Sequence, residues 1–397
     1  QTAFTGFRTF VKGSRKGSDK FQHQPFFPQP LDMEDTVTRE MKIGTSDLEL
    51  EEVHKDFDLQ TNIVYFTTPN EDFASLVRKV TFTNLDTKHE LELEVLDGMS
   101  KIIPSGLWNP ALDSMGRTSE AWMRVYNVGK ASEGGARITS PFYHITQTTA
   151  DTALVTPIKD GYFAVAFVDA NGKSANDVDT VSDLDTEGLY DPLPYIVDPT
   201  VVFGQDTSLI SATNFFDKDA PSINEFVELP QGTTARTPCA FSGAKLSIPA
   251  GKSISITTVY GYAENLETFV GKYSPMLRQP GFAQSKRDSA WDLVKNLTDN
   301  VATTTGSIIF DQYVRQDYLD NTLRGGLPLL LGDPEVEGAN KVFHVFSRIH
   351  GDIERDYNNF DLDTTYFSQG PGNFRDVCQN RRLDVTLAPY VKDFNVR

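Results

Sequence analysis

The sequence predicts a mainly β protein in which a large antiparallel β-sandwich is followed by helices. Over residues 41–263, short segments alternate apolar and polar side chains and are separated by turns rich in Gly, Pro and Asp. A period of two is typical of strands that are buried on one face only. Near residue 264 the period changes to that of amphipathic helices. Many such strands in succession favour a sandwich.

Length and charge restrict the classes of function. A chain of 397 residues is long enough for two or more domains. Its net charge of −18 argues against nucleic acid, which needs a basic surface. No apolar run reaches the roughly 20 residues that a membrane-spanning helix needs. We therefore expect neither nucleic acid nor a membrane as a partner, and the compartment stays open, with the cytoplasm favoured.

The first 40 residues mix Phe and Pro with basic and amide side chains. Because Pro fixes φ and lacks an N–H donor, it suits extended and edge positions better than helices. The sequence therefore predicts an N-terminal arm or irregular edge strands over residues 1–40.

The clearest strand patterns in residues 41–263 flank one charged turn. Leu76–Asn84 alternates apolar and polar residues, and Glu90–Asp97 alternates acidic and aliphatic ones. Between them, Asn84–Lys88 carries turn-forming residues, which predicts a hairpin. The same texture predicts further strands at Leu48–Leu50, Ile63–Phe66, Met123–Val128, Thr152–Pro157, Gly161–Val168, Val201–Phe203, Leu246–Ile248 and Ser253–Tyr262.

Helical periodicity follows the last of these strands. Ser285–Val301 and Ile308–Leu323 each place apolar residues on one face. We therefore expect a β-sandwich domain over residues 41–263 and a helical linker over residues 264–335. A strand-like segment, Val342–Phe346, comes next.

A dense polar cluster follows that segment. Asp352, Glu354 and Asp356 are candidates for a general acid, and His350 is a candidate for a base. The favoured alternative is that Arg348 and Arg355 neutralise these acids in a structural network. Six scattered His and two distant Cys show no metal-ligand spacing, and a Cys239–Cys378 bridge is the less favoured reading. The acidic run 177–191 matches no calcium-binding loop and is expected to be solvated.

The stretch Tyr366–Asp384 concentrates aromatic, amide and cationic side chains around a forced turn. Gly tolerates positive φ and Pro fixes φ, so Gly370–Gly372 predicts a turn. Helix-forming residues follow, which places Arg375 and Asp376 at a loop-to-helix transition. Such groups suit a polyhydroxylated or anionic ligand, and a surface turn with solvated charges is the alternative of equal weight.

This stretch resembles a motif of the inverting glycoside phosphorylases of the cellobiose phosphorylase type. Their helical barrel opens with the form G-x-G-F/Y-R-D-x-x-Q-D, which residues 370–380 match with Asn373 inserted and Asn380 in place of the usual Asp. A long phosphorylase-like subgroup has the form Y-x-S-Q-G-x-G-N-[FY]-R-D-V-x-Q-N-R-R, which Tyr366–Arg382 fits throughout. Ser75–Asp97 and Pro249–Ile256 resemble strands of the family's sandwich.

The resemblance implies that a β-sandwich and linker helices lead into an (α/α)6 catalytic barrel, which would begin over residues 336–397. It implies phosphorolysis of β-glucosides or oligosaccharides with inversion to a sugar 1-phosphate. An acid protonates the glycosidic oxygen, and phosphate takes the place of the water and base of an inverting hydrolase. That acid belongs to a downstream motif, so the chain is expected to be the N-terminal part of a longer homodimeric enzyme. No cofactor is expected, with inorganic phosphate as co-substrate.

The resemblance also implies which residues contact the substrate. The Arg matching Arg375 binds the glycosyl unit, because a guanidinium can fork across two hydroxyls. Asn380 brings no charge, so that sugar contact could move to Asp376. The predicted substrate-binding residues are Tyr366, Asn373, Phe374, Arg375, Asp376, Gln379 and Asn380. Arg381 and Arg382 are candidates for phosphate binding, with a helix-surface ion pair as the alternative.

Two other functions stay open. A hydrolase or transglycosylase on the same scaffold would recruit Asp352, Glu354 or Asp376 as acid or base. A non-catalytic carbohydrate-binding or structural protein would keep the sandwich without the chemistry.

Overall fold

Two large β-sheets form the centre of the first part of the chain. The computed structural model describes residues 5–15, 20–28, 36–107, 109–127, 137–148, 157–169, 188–325, 328–332, 341–344 and 384–392. The chain divides into two compact units, Gln1–Ala290 and Trp291–Arg397. Both large sheets belong to the first unit.

The strands of the first unit are β1 (Phe7–Arg15), β2 (Phe21–His23), β3 (Val37–Ile43), β4 (Asp47–His54), β5 (Leu59–Thr67), β6 (Ser75–Asn84), β7 (Leu91–Met99), β8 (Met123–Asn127), β9 (Pro141–Ile145), β10 (Gly161–Asp169), β11 (Tyr195–Ile196), β12 (Ala240–Ile248) and β13 (Ser253–Ala263). A five-stranded sheet has the order β11-β12-β7-β1-β2. An eight-stranded sheet has the order β3-β4-β5-β6-β13-β10-β9-β8. Neighbouring strands in both sheets run antiparallel.

The two sheets pack face to face. Leu93 and Val95 of β7 share one buried cluster with Val80 and Phe82 of β6 and with Ile256 of β13. These side chains are inaccessible to solvent. Because successive residues of a strand point to opposite faces, every second residue of these three strands enters this interior. The predicted antiparallel β-sandwich is therefore confirmed.

Helices cover the outer faces of the sheets. The helices of the first unit are α1 (Asn109–Trp122), α2 (Pro199–Phe203), α3 (Thr213–Phe216), α4 (Ile223–Phe226), α5 (Leu266–Thr268), a π-helical turn (Phe269–Tyr273), α6 (Ser274–Leu277) and α7 (Phe282–Thr298), which continues into the second unit. Helices α2 to α4 bury Val202, Phe215 and Phe226 in one cluster with Phe10 and Phe241 of the five-stranded sheet.

The outer face of the eight-stranded sheet is covered by the segment that follows β13. Phe269, Tyr273 and Leu277 pack in one cluster with Phe163 of β10 and Val259 of β13. The Phe163 and Phe269 rings stack with centroids 4.5 Å apart. The predicted change from strands to helices near residue 264 is confirmed by this segment and by α7, which is extended by a 3-10 turn at Asp299–Val301.

The predicted hairpin at Asn84–Lys88 is wrong. The turn exists, with the Asp86 carboxylate accepting from the Lys88 amide at 2.7 Å. However, β6 lies in the eight-stranded sheet and β7 in the five-stranded sheet, so the turn crosses between sheets. Both strands carry apolar residues on one face, and a crossing buries these faces against each other.

Asn84 ties this corner of the sandwich to a second one. The turn before β13, at Pro249–Lys252, also crosses between the sheets. The Asn84 side chain donates to the carbonyls of His89 at 2.8 Å and Ile248 at 3.1 Å, and its amide donates to the Lys252 carbonyl at 3.0 Å. Asn84 is completely buried. One side chain therefore fixes both corners.

Two local predictions need correction. The predicted strand Val201–Phe203 is the end of helix α2, because the Asp198 carboxylate caps the Thr200 amide at 3.0 Å and Pro199 begins the helix. Within residues 1–40, β2 is an edge strand as expected, but β1 is interior. It pairs with β7 along its whole length and with β2 on its other side.

The second unit contains α8 (Ile308–Gly325), β14 (Pro328–Leu331), β15 (Lys341–His344) and α9 (Asp384–Leu387), followed by a 3-10 turn at Pro389–Val391. β14 and β15 pair antiparallel, and the Tyr390 hydroxyl donates to the Pro328 carbonyl at 2.6 Å. Most of residues 336–397 lie outside the described residues, so the beginning of a barrel and the domain boundaries stay predictions. Within the described ranges, no helix is long and apolar enough to cross a bilayer.

Candidate functional site

The residues that the sequence nominates for catalysis and binding lie outside the described part of the chain. They are Asp352, Glu354, Tyr366, Asn373, Phe374, Arg375, Asp376, Gln379, Asn380, Arg381 and Arg382. Cys378 and residues 177–187 lie outside it as well. Their roles stay predictions, and the described residues offer other sites.

A pocket lined by tyrosines, called the tyrosine pocket below, opens at one end of the sandwich. Its volume is about 390 Å³, within the range of about 300–1,000 Å³ that is usual for small-molecule sites. It lies where β6 and β10 begin and where β7 and β13 end. Its lining residues are Ala74, Ser75, Leu76, Met99, Ile102, Ile103, Tyr143, Tyr162, Phe163, Tyr260, Gly261 and Tyr262.

Strand register brings the tyrosines together. Tyr162 of β10 lies directly opposite Tyr262 of β13 on one side and Tyr143 of β9 on the other. Tyr260 precedes Tyr262 by two residues, so both side chains point to the same face. Alternation along three neighbouring strands thus produces one row of phenol rings.

The row has a fixed inner half and an exposed outer half. The Tyr143 hydroxyl donates to the Cys239 carbonyl at 3.1 Å, and the Tyr260 hydroxyl donates to the Ala240 carbonyl at 3.4 Å. Burial raises the pKa of both phenols well above its usual value, so they remain neutral donors. Tyr162 and Tyr262 are 40% and 37% exposed. Their rings meet edge to face, with centroids 6.3 Å apart and planes at 69°.

Two carboxylates lie at the strand ends beside the exposed tyrosines. Asp160 precedes β10 and Glu264 follows β13. The first residue of β10, Gly161, is paired with the last residue of β13, Ala263. Asp160 accepts a hydrogen bond from the Ser105 hydroxyl at 2.7 Å. Burial raises the pKa of Tyr262, and the charges of Asp160 and Glu264 raise it further. Neither carboxylate lines the pocket, and Glu264 accepts a hydrogen bond from the Tyr273 hydroxyl at 3.1 Å.

A buried ion pair lies deeper on the same strand faces. Arg78 follows the pocket residue Leu76 by two positions, and Asp97 precedes Met99 by two. Arg78 Nη2 lies 2.9 Å from Asp97 Oδ1 and 2.8 Å from the Thr9 hydroxyl. Burial opposes the charge on Arg78, but the Asp97 carboxylate outweighs it and raises the pKa of the guanidinium. Arg78 therefore stays charged, and the pair joins β6 of one sheet to β7 of the other.

A second, smaller pocket of about 230 Å³ lies on the outer face of the eight-stranded sheet. Its lining includes Tyr126, His144, Lys159 and Glu267. His144 Nδ1 lies 2.8 Å from the Asp160 carbonyl oxygen, which can only accept, so Nδ1 carries a proton. This pocket has one exposed ring, Tyr126, where the tyrosine pocket has two.

A broad groove of about 800 Å³ runs along the outer face of the five-stranded sheet. Two of its lysines are neutralised, with Lys12 at 2.7 Å from Glu94 and Lys245 at 3.7 Å from Glu92. Such surface pairs are usual solvated charges. Among the described residues, no group of three or more His, Cys, Asp or Glu side chains is arranged to hold a metal ion. Cys239 is a buried free thiol that donates to the Ile196 carbonyl at 3.4 Å.

Sequence reasoning placed Tyr162 and Tyr262 on predicted strands without recognising a site. A signal for the site was present in the sequence, because both residues are large aromatics on strands that the period-two pattern predicts. What the sequence lacks is the pairing of β10 with β13, which brings together Tyr162 and Tyr262 from positions 100 residues apart. The pocket therefore emerges only from the sheet topology.

Comparisons with known proteins show no family for this chain. No protein-family model matches it, and no curated protein does. A solved structure of a polysaccharide lyase is similar at 10% identity and a TM-score of 0.32, over 70% of this chain and 29% of that one. A structure described as a kojibiose phosphorylase from the human microbiome is similar at 9% identity and a TM-score of 0.22, over 81% of this chain and 28% of that one. The chain spans less than a third of either structure, and the likeness is too weak to assign a function.

Proposed function

We propose that the chain is the N-terminal part of a carbohydrate-active enzyme resembling the cellobiose-type phosphorylases. The enzyme would cleave β-glucosides or oligosaccharides with phosphate and release a sugar 1-phosphate with inversion. The supporting observation is the position of the two segments that carry the upstream resemblance. Ser75–Asp97 and Pro249–Ile256 form adjoining corners of one sandwich, and Asn84 ties them together.

The order of elements gives further support. The resemblance implies a sandwich, then linker helices, then a barrel. Here β13 ends at Ala263, and helices begin at Leu266 and continue through α7 and α8. The motif Tyr366–Arg382 follows in the sequence where the first barrel segment is expected.

The proposed chemistry is a single displacement. A carboxylic acid of the downstream barrel would protonate the glycosidic oxygen, while phosphate attacks the anomeric carbon from the opposite face. Arg375 would hold the glycosyl unit through two hydrogen bonds to hydroxyls, assisted by Asp376 or Asn380. Arg381 and Arg382 would hold the phosphate. A homodimer is part of this proposal, and light scattering of the full-length protein measures it.

The test is phosphate dependence. Full-length protein incubated with cellobiose, laminaribiose or sophorose should release glucose 1-phosphate only when inorganic phosphate is present. Arg375→Ala should lower kcat/KM by about 10- to 150-fold, because a hydrogen bond from a charged group contributes about 1.5–3 kcal/mol.

Arg117→Ala is the matched control, because Arg117 is 98% exposed and its nearest ion-pair contact, with Glu120, is 4.0 Å long. This variant should keep the activity of the parent. Release of sugar with water alone would overturn the proposal in favour of a hydrolase. An Arg375→Ala variant that matches the parent would remove this residue from the site.

A further inference from the structure

We propose that the tyrosine pocket is a carbohydrate subsite on the β-sandwich, which takes one pyranose ring of a glucose oligosaccharide. The choice of glucose oligosaccharides as ligand class rests on the proposed function. The site itself rests on the geometry of the outer tyrosines and on the apolar side chains beside them, which include Leu76, Met99 and Ile102.

The outer tyrosines are placed as a ligand-binding corner. Tyr162 and Tyr262 leave 40% and 37% of their surface in water, although the strands around them are buried. A concave site with aromatic walls and few polar groups is the usual form of a small-molecule pocket. The inner tyrosines hold the base of the row in place, because their hydroxyls are bonded to backbone carbonyls.

The chemistry of the lining fits a pyranose. A sugar ring has an apolar face of C–H groups and a polar edge of hydroxyls, and tyrosine likewise combines an apolar ring with a polar tip. Planes at 69° let one ring stack on the sugar face while the other borders its edge. The phenol hydroxyls of Tyr162 and Tyr262 can both donate to and accept from sugar hydroxyls.

Other ligand classes fit less well. An anion would find no basic side chain among the described residues that line the pocket, on a protein whose net charge is −18. A wholly apolar ligand would cover the hydroxyls of Tyr162 and Tyr262 without offering them a partner, and an unpaired polar group is costly to desolvate. A neutral ligand with hydroxyl groups satisfies both the rings and their hydroxyls.

The experiment measures binding in a background where the predicted barrel contact is removed. Full-length Arg375→Ala protein is titrated with cellobiose and laminaribiose by calorimetry and by saturation-transfer NMR, without phosphate. Tyr162→Ala and Tyr262→Ala should each weaken binding by about tenfold or more, the usual effect of truncating an aromatic anchor. Tyr262→Phe keeps the ring and should stay within about threefold of the parent, because the stacking surface is retained.

Tyr126→Ala is the matched control, because Tyr126 is 42% exposed on β8 of the same sheet but lines the smaller pocket. It should leave binding unchanged, and unchanged melting temperatures should show that every variant folds. The inference would be overturned if neither disaccharide binds. It would also be overturned if both tyrosine-to-alanine variants keep the affinity of the Arg375→Ala protein. Loss of affinity in Tyr126→Ala alone would also overturn it. Phosphorolysis is read separately, so a failed activity assay leaves this result standing.

Discussion

The buried Arg78–Asp97 pair links the two sheets across the interior of the sandwich. Arg78 carries its charge at 1% exposure because Asp97, the Thr9 hydroxyl and the Tyr65 hydroxyl satisfy its guanidinium. The aromatic faces of Phe7 and Tyr65 lie 5.2 Å from its Cζ atom and add cation–π contacts. Arg78, which lies in the Ser75–Asp97 segment, thus has a structural role in this sandwich.

Removing one member of the pair should lower the free energy of unfolding far more than replacing both members with apolar residues. Arg78→Met or Asp97→Leu alone leaves a buried charge without its partner, so each should lower the free energy of unfolding by about 3–5 kcal/mol. The double variant should cost clearly less than the two single costs together, because no buried charge remains. Urea denaturation of the four proteins measures this coupling. Additive costs, or single costs below about 1 kcal/mol, would contradict it.

His54 should make the sandwich sensitive to mild acid. Its ring is buried and stacks on Phe57 with centroids 3.7 Å apart. Burial, followed by the neighbouring His23, lowers the pKa of His54 below 6.5, although Glu52 and Asp56 act in the opposite direction. In mild acid the unfolded chain therefore binds a proton at His54 that the folded chain does not bind. As a result, the free energy of unfolding falls as the pH drops through and below 6.5.

Guanidinium denaturation at pH 7.5 and pH 5.5 should show this loss in the parent and a smaller loss in His54→Phe. The exposed residue Asn300 provides the control Asn300→Ala, because an amide does not titrate between these pH values. Burial acts against the charge on Glu52, but hydrogen bonds led by that from His23 lower its pKa overall. Its contribution is therefore lost only at lower pH. Equal pH dependence in parent and His54→Phe would contradict the assignment.

At the scale of elements, the two corners of the sandwich depend on one side chain. Asn84→Ala removes the donors to the His89 and Ile248 carbonyls. Because Asn84 is buried, these acceptors lose a partner that water cannot readily replace, and we expect a cost of about 1–3 kcal/mol. Asn300→Ala, at an exposed helix end, should stay within about 0.5 kcal/mol. Thermal and urea unfolding measure both, and equal effects would contradict the corner role.

The error at this corner shows what sequence patterns specify. Turn residues and alternation placed β6, β7 and the turn between them correctly, because each depends on neighbours in the chain. Whether a turn reverses within one sheet or crosses to another depends on which faces are buried together, which no local pattern records. The Val201–Phe203 segment differs, because the Asp198 cap and Pro199 were local signals that the apolar run obscured.

At the scale of the whole molecule, periodicity predicted the sandwich and the change to helices. Sheet order depends on contacts between distant segments, such as β1 with β7 and β10 with β13, so it could not be read from the chain. The tyrosine pocket could not be predicted for the same reason, because it depends on the pairing of distant strands. The motif at Tyr366–Arg382 was found because its residues are consecutive, and its placement stays a prediction.

The extent of the sandwich as a folding unit can be tested by truncation. The sequence places its end at residue 263, but the segment after β13 buries Phe269, Tyr273 and Leu277 against the sheet. Burying three side chains of this size contributes about 5–9 kcal/mol. The free energy of unfolding of a whole domain is only about 5–15 kcal/mol. A fragment of residues 1–263 would therefore expose an apolar sheet face and should aggregate or stay unfolded.

A fragment of residues 1–298 keeps that cover and all of α7, including Lys286 and Arg287, which pair with Glu71 at 2.5 Å and Asp47 at 2.8 Å. It should unfold in one cooperative transition. We expect its midpoint to lie within about 4 °C of the sandwich transition of the 397-residue chain, the shift that about 1 kcal/mol causes in a domain of this size. Calorimetry and size-exclusion chromatography compare the two fragments. A soluble, cooperative 1–263 fragment would place the domain boundary where the sequence pattern puts it and would make the helices an accessory layer.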